Sequence, residues 1–574
     1  MRALILAVLL LSGASISSAT EPSPAGHVDA YLQRLAGFGY SGAVLIALNG
    51  KIILEKGYGL ADRSAKTPIT PKTLFDIGSL SKNFTAAAIL RLEADGKLSV
   101  SDNISKYLPR VPPDKREITI HQLLTQTSGI SGPDHGYEAI DKESALRELL
   151  ATPLDYPPGT KWAYSNAGYV LLAAIVEAAA HMSFQDYLRE RIFKPAGLNS
   201  TGFWGAQLPP HASGALAKGY DERGATIDLE KLSPGTWNDM GSGMIVSTVE
   251  DLYRWQQSLE HCSVVPCAEL KKMFTSYHPM PPSDDYYNES YGYGIWVQTL
   301  QNRDLRYQHG GDFLAFGAQL NWMPNRKLVI ISLCNTRKDL YPVHRRADRA
   351  IADIMRGSPV SEPPGYVHLS QPQLRRFIGT YALANGELLQ IHWRDDHLVI
   401  GADGQDATLL LDGHSDARED LANNNRTAET LVRSLFAGND SLLNSAGWGD
   451  QESRNTVHSE LQELGKGMGP YQTAKAIGTY VGGMFGKWDV SLVRVKFANG
   501  ERVYKLEWDG TKLVSTGTQA PDVAADTVIE PESETKLVGW NIVTLETFDL
   551  TFDPKYRTLS VRSDVGTVKA TRVR

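Results

Sequence analysis

The sequence predicts an α+β chain of several units, and three observations carry that prediction. Alternating apolar runs form a hairpin at Gly42–Gly57 and consecutive antiparallel strands from Tyr307 to the region of Val329, with helical segments between them. A Pro/Gly stretch, Gly357-Ser-Pro-Val-Ser-Glu-Pro-Pro-Gly365, reads as a linker over 357–365. Beyond it short strands begin, give way to helical segments and then resume.

The first residues form a positive end, Met1-Arg2, followed by the apolar run Ala3–Leu11 and the small residues Ser17-Ser18-Ala19. This pattern predicts a signal peptide over 1–19 and an exported protein, periplasmic or secreted. No cysteine stands near the cleavage point, so no lipid anchor is indicated there, and no later segment has the length of a membrane span.

Of the 574 residues, 42% are hydrophobic and 21% charged, which suits two to four globular domains. The net charge of −7 and the lack of a basic run argue against a nucleic-acid partner. No Cys/His cluster has metal-ligand spacing, so neither a metal nor a cofactor is expected. Cys262 and Cys267 either close a small disulfide loop or remain free thiols; Cys334, in Leu328–Cys334, reads as a buried core residue. His344, beside two arginines, reads as surface charge. The sequence leaves the oligomeric state open.

Gly42–Leu48 and Lys51–Gly57 flank an Asn-Gly turn, the signature of a hairpin. In Phe75-Asp-Ile-Gly-Ser79-Leu-Ser-Lys82, a turn at Gly78 precedes a helix with Ser79 at its start and Phe84, Ala88, Ile89 and Leu92 on a buried face. Gly96 suits its C-terminal stop. Ile118–Leu124 reads as a short helix before the polar loop Thr125-Gln-Thr-Ser-Gly129. Pro157-Pro158-Gly159 is a turn, Tyr164-Ser165-Asn166 a loop, and Tyr169–Ala180 an apolar helix. Ser247-Thr-Val-Glu250 reads as a capping box, and Tyr291–Val297 alternates like a strand. His309 lies on or beside a strand, next to Gly310 and Gly311, which would let another backbone approach.

The chemistry-bearing residues follow from spacing. Ser79 and Lys82 are three apart, so a helix places both on one face. A serine hydroxyl needs a base, and a lysine whose pKa is lowered from roughly 10 can serve. The N–H groups at the turn would face a developing oxyanion. Were a fold to bring Lys82 and His309 beside Tyr164, these potentially cationic groups would lower the pKa of its phenol.

Ser79-x-x-Lys82, Tyr164-Ser-Asn166 and His309-Gly-Gly311 occur in an order that resembles the serine β-lactamase and penicillin-binding-protein superfamily. The closest likeness is to its branch of class C β-lactamases, D-alanyl-D-alanine carboxypeptidases, D-aminopeptidases and esterases. Leu123–Gly129, Pro158–Gly168 and Gly241–Leu252 support it, and the resemblance covers about 25–355. It implies a β-lactamase/transpeptidase-like domain, an antiparallel sheet flanked by helices. Ser79 would be the acylated nucleophile, Lys82 its proton acceptor and Tyr164 the proton relay, the last two acting as a unit. Asn166 would bind a substrate amide or orient Lys82; His309, Gly310 and Gly311 would line the substrate. The backbone N–H groups of Ser79 and Asp312 would form the oxyanion hole.

Two positions depart from that pattern. Gln126 stands where a histidine is common, and His309 replaces the lysine of class C lactamases. A histidine, partly charged near neutral pH, is a poorer partner for a β-lactam carboxylate. The resemblance therefore implies a serine hydrolase acting through an acyl-enzyme on a D-amino-acid peptide, amide or ester. A β-lactamase is the alternative within the enzymes, and a catalytically silent binding protein is the alternative outside them. The partner expected is a small-molecule or peptide substrate.

After the linker, 366–414 plus 531–574 is similar to a lipocalin-like small β-barrel, and 415–530 to a cystatin-like α+β insert. The competing arrangement is two tandem barrels, suggested by Ile477-Gly-Thr-Tyr480 repeating Ile378-Gly-Thr-Tyr381.

Overall fold

The computed structural model describes residues 23–131, 141–204, 215–220, 226–231, 237, 239–280, 286–336, 343–394, 397–412, 418–482, 488–518, 524–541 and 543–573. The expected leader, 1–19, and Asp395-Asp396, a pair whose residue types predict a turn, lie outside them. No single described helix is long and apolar enough to cross a membrane.

Helix α1 (Pro24–Gly37) leads into the hairpin β1 (Gly42–Leu48) and β2 (Lys51–Tyr58), with Asn49 and Gly50 at positive φ as an Asn-Gly turn requires. Helix α2 (Ser81–Ala94) follows a 3₁₀ turn at Gly78–Leu80. The sequence assigns α2 one buried face, but it is buried all round from Ser81 to Leu90 and again at Leu92, so it is the central helix of the domain. It packs against α3 (Asn166–Ala180), whose apolar residues join the same core.

Helix α4 (Val249–Glu260) is capped by Thr248, whose side chain accepts from the Asp251 N–H; Ser247, expected as the cap, ends the strand Ile245–Ser247. Cys262 and Cys267, just after α4, are joined as a disulfide, and Cys334 is buried.

The remaining strands of the catalytic-type domain are β3 (His278–Met280), β4 (Tyr286–Tyr291), β5 (Trp296–Leu300), β6 (Leu305–Phe313), β7 (Phe316–Met323) and β8 (Leu328–Cys334). They form one eight-stranded antiparallel sheet in the order β3-β4-β5-β6-β7-β8-β1-β2. The run Tyr291–Val297 is not one strand: Gly294 at φ +66° turns the chain between β4 and β5, and a Cβ there would lie 2.5 Å from the Lys82 carbonyl. Helix α5 (Val343–Arg356) packs on β8 and α1, closing the other face.

Beyond the linker, β9 (Gly379–Ala382), β10 (Leu388–Arg394) and β11 (His397–Asp403) begin a barrel. The chain then leaves it through α6 (Gln405–Asp412), α7 (Arg418–Phe436) and α8 (Gln451–Gly465). A four-stranded sheet follows: β12 (Tyr471–Gly482), β13 (Trp488–Phe497), β14 (Gly500–Asp509) and β15 (Lys512–Gly517). The barrel resumes with β16 (Ala524–Ser533), β17 (Lys536–Trp540), β18 (Thr547–Phe552), β19 (Thr558–Ser563) and β20 (Gly566–Arg572). Its eight strands close, β9 pairing with β20 and β11 with β16.

Two readings of this region need correction. The sequence pattern places 415–530 in the insert, yet β16 is a barrel strand, with Ile400 opposite Thr527. The repeated phrase at Ile477 begins no second barrel, because β12 belongs to the four-stranded sheet. Helices α7 and α8 cover one face of that sheet with a core of their own. Helix α6, with Ile477, Val490 and Leu492, packs into the barrel core instead. The barrel's outer residues Val399, Val528, Val538 and Trp540 join a third core with α1 and α5, away from the Ser79 side of the sheet.

Candidate active site

The turn before α2 is shaped by two neighbours. Gly78 takes φ +47°, and a Cβ on it would lie 2.7 Å from the Asp312 nitrogen, so only glycine fits. Its N–H donates to Asp76 Oδ1 at 2.6 Å, and burial pushes that carboxyl up to about 7. Ser79 therefore sits in the 3₁₀ turn, one step ahead of the α-helix that the sequence expected it to open.

Lys82 is 0% exposed. Its Nζ lies 3.1 Å from Ser79 Oγ, 2.7 Å from Asn166 Oδ1 and 3.0 Å from the Ser242 carbonyl. Burial brings the amine down to about 7, opposed by the charge of Asp239. In the neutral amine, the two hydrogens go to the two oxygens that can only accept. The lone pair is then left facing the Ser79 hydroxyl.

Tyr164 and Asn166 straddle a helix cap, and they do not share a loop. Ser165 is the N-cap of α3, its Oγ accepting from the Gly168 N–H at 3.2 Å, and Asn166 is the first helical residue. Gln126, at φ +63°, holds this corner from below: its Oε1 accepts from the Ser165 N–H at 2.9 Å and its carbonyl from the Ala163 N–H at 3.1 Å.

The Tyr164 ring is 38% exposed, and Lys82 Nζ lies 4.8 Å from its centroid. The expected lowering of its pKa does not occur. Desolvation raises the phenol, the Ser79 hydroxyl pulls it down, and Asp312 adds to the rise. The physical reason is that neither presumed cation is a firm one: Lys82 is near neutrality and His309 is uncharged. Burial and the Lys82 charge bring His309 down to about 3, against the Gly310 carbonyl. His309, 2% exposed on β6, has Nδ1 2.5 Å from that carbonyl and Nε2 3.0 Å from the Tyr291 hydroxyl. A carbonyl only accepts, so Nδ1 carries the proton and the Tyr291 O–H donates to Nε2.

Strand β6 is pressed against the nucleophile turn. A Cβ on Gly311 would lie 1.8 Å from the Ile77 carbonyl and 2.9 Å from the Ser79 nitrogen. Phe313 and Phe316 flank a two-residue hairpin loop, and Asp312 stands opposite Gly317. The flanking pair exchanges both hydrogen bonds, so alternation leaves Asp312 at a non-bonded position, its N–H turned away from β7. That direction is the Ser79 turn.

The Asp312 carboxylate is met by α5: His344 Nε2 at 3.3 Å from Oδ1 and Arg345 Nη2 at 3.0 Å from Oδ2. His344, read from sequence as surface charge, is buried, its ring filling the space beside Gly317. The signal lay in the amphipathic register of Val343, Ala347, Ala350 and Ile351, which are buried along the same helix. A cavity of about 610 Å³ joins Ser79, Tyr164, Trp296, Gln308, Gly310 and Arg345.

The structure thus brings Ser79, Lys82, Tyr164, Asn166, His309, Gly310, Gly311 and Asp312 to one cleft. Asp76, Gln126, Ser242 and His344 complete it, none of which the sequence marked as a site residue. Among the described residues no cluster of three or more metal-ligating side chains occurs.

Comparison with known proteins agrees with this geometry. Residues 28–354 match the family model described as Beta-lactamase. The chain is 28% identical over 390 residues to penicillin-binding protein 4* of Bacillus subtilis, covering 64% of this chain and 84% of that protein. It is 34% identical over 260 residues to the putative penicillin-binding protein PbpX of the same organism, covering 45% of this chain and 62% of PbpX. It is 33% identical over 309 residues to the protein flp of Staphylococcus aureus, covering 52% of this chain and 60% of flp. The octameric penicillin-binding protein homologue from Pyrococcus abyssi shares the fold, with a TM-score of 0.52 at 17% identity over 95% of this chain and 99% of that one. With the match covering more than half its length, the chain belongs to the Beta-lactamase family, whose members support a serine-hydrolase-type function.

Proposed function

We propose that the protein is an exported serine hydrolase that acylates Ser79 with a D-amino-acid peptide, amide or ester. One observation carries the reading: the buried, near-neutral Lys82 amine is donor-saturated by Asn166 and Ser242, so its lone pair faces Ser79 Oγ at 3.1 Å. Lys82 takes the Ser79 proton as Oγ attacks the carbonyl carbon. The oxyanion is met by the N–H groups of Ser79 and Asp312. The Tyr164 phenol, protonated at rest, passes a proton to the leaving group and recovers one from Lys82. Water then enters along the same relay in reverse and releases the acid.

His309 supports the preference over β-lactams. Uncharged, it offers a hydrogen bond but no cation to a β-lactam carboxylate. A fluorophosphonate probe should label Ser79 in the intact protein and fail on Ser79→Ala. Equal labelling of that variant, or none of the wild type, would favour the silent binding protein. Nitrocefin beside D-alanyl peptides and short-chain esters separates the enzymatic readings: fast nitrocefin turnover with inert peptides and esters would sink the preference.

A further inference from the structure

The Asp312 N–H is useful as an oxyanion donor only if the end of β6 is held against the Ser79 turn. Backbone pairing does little for that, because Asp312 occupies a non-bonded position opposite Gly317 and lies two residues from the hairpin loop. Its side chain points to α5, and there the contacts differ in kind. Arg345 is half exposed, its side chain at 44%, so water screens that pair. His344 is at 8% in the same measure, and the contact is shielded. The ring reaches Asp312 because position 317 has no side chain: a Cβ there would lie 2.9 Å from both Cδ2 and Nε2 of His344. Helix α5 is itself fixed to the sheet, the Ser332 hydroxyl of β8 donating to Asp348 one turn after His344.

We infer that His344 is a positioning residue of the oxyanion hole, clamping the Asp312 carboxylate so that the Asp312 N–H stays aimed at the site beside Ser79. The inference rests on the hydrolase reading proposed above. Burial alone would strip the imidazole of its proton, but the Asp312 carboxylate on β6 opposes this and raises it. The other charged groups facing it are Asp348 and Arg345 on α5 itself. The clamp is therefore a shielded ion pair, with Nε2 of His344 lying 3.3 Å from Oδ1 of Asp312.

The test uses the full chain and two readouts. One is amide hydrogen exchange of a peptide spanning 305–323, which needs no catalysis. The other is the second-order rate of Ser79 labelling by a fluorophosphonate. His344→Leu should speed exchange in that peptide and slow labelling at least tenfold, with the melting temperature of the chain little changed. Gly317→Ala, which pushes the ring away while leaving it present, should do the same and guards against a leucine variant that fails to fold. His344→Gln, which restores a donor near the Nε2 position, should recover most of the labelling rate. Unchanged exchange, or faster exchange with an unchanged labelling rate, would overturn the clamp. A wild-type chain that takes no label at all would overturn the hydrolase reading and the clamp's catalytic purpose together, while exchange still reports on the tether.

Discussion

Lys82 Nζ and Asn166 Oδ1 are 2.7 Å apart, although 84 positions separate the residues. This contact ties the central helix α2 to the first turn of α3. An acceptor at this place uses one amine hydrogen and so decides where the lone pair points. Asn166→Asp would set a carboxylate beside the amine and favour its charged form. The pKa of Lys82 should rise from about 7 by about one to three units, moving the acid limb of Ser79 labelling to higher pH by the same amount. A limb that stays in place would show that Lys82 is not the titrating base.

In the wild type, that limb reports Lys82 together with Asp76, which titrates in the same range beneath the nucleophile turn. Below about pH 7 the amine binds a proton and cannot take one from Ser79, so labelling should rise with pH through about 7 and then level. His309 loses its proton near 3 and stays uncharged above that, so no inflection belongs to it between 5 and 9. A pH–rate profile measured on wild type and His309→Gln tests this. Removal of an inflection by the glutamine variant would contradict it.

Adjacent glycines should respond very differently to the same substitution. In Gly311→Ala the new Cβ meets the Ile77 carbonyl at 1.8 Å, a backbone atom of the nucleophile turn that has nowhere to go. A loss of about 3 kcal/mol and of labelling is expected. In Gly310→Ala it meets Gln319 Oε1 at 2.6 Å, the end of a flexible side chain that can swing aside. That variant should fold nearly as well as wild type, as denaturant titration of both would show.

Gln126→Ala should disturb the tyrosine corner without touching substrate. It strips the buried Ser165 N–H of its acceptor, at a cost of about 1–3 kcal/mol. Because that N–H lies between Tyr164 and Asn166, labelling should fall together with stability. Stability lost with full labelling would place Gln126 outside the relay.

Cys262→Ser with Cys267→Ser opens a loop of few residues. Chain entropy then predicts a loss of about 2 kcal/mol. Labelling should be unaffected, since Val264 and Val265 remain buried and Arg91 still donates to the Val264 carbonyl.

What the chain reveals of this site depends on how local each part is. Ser79 and Lys82 are legible because their contact is set by three residues of helix, and the β1–β2 hairpin because its turn is written in two residues. The joining of Tyr164 and His309 to them follows from the order of motifs, not from their spacing. Their protonation could not be read that way. The sequence shows a lysine and a histidine near a phenol, but their charge is decided by burial, which comes from α2 being enclosed on every side. His344 is hidden for a related cause: two following arginines advertise a wet surface, whereas the helix presents the histidine inward to a strand position that has no side chain. The Tyr291–Val297 run misled because alternating glycines mimic strand periodicity while allowing the positive φ that breaks it. In the C-terminal region, the helical length between strands revealed an interruption, but the seam at Ala524 lay in strand pairing that single-chain patterns do not show.

The interrupted barrel sets a schedule for the whole molecule. Strand β9 can complete its second ladder only when β20 arrives, Tyr381 facing Arg572, almost at the close of the described chain. Until then β9 is an open edge, able to capture another chain, and closing it is slow because the partners are so distant in sequence. The insert, with a core of its own, can fold during that wait and hold β11 and β16 near each other. Helix α1 waits as well, since Trp540 and its neighbours cover Phe38 only once the barrel has formed. A chain lacking β20 would therefore leave β9 as an unpaired edge and the apolar face of α1 without its full cover.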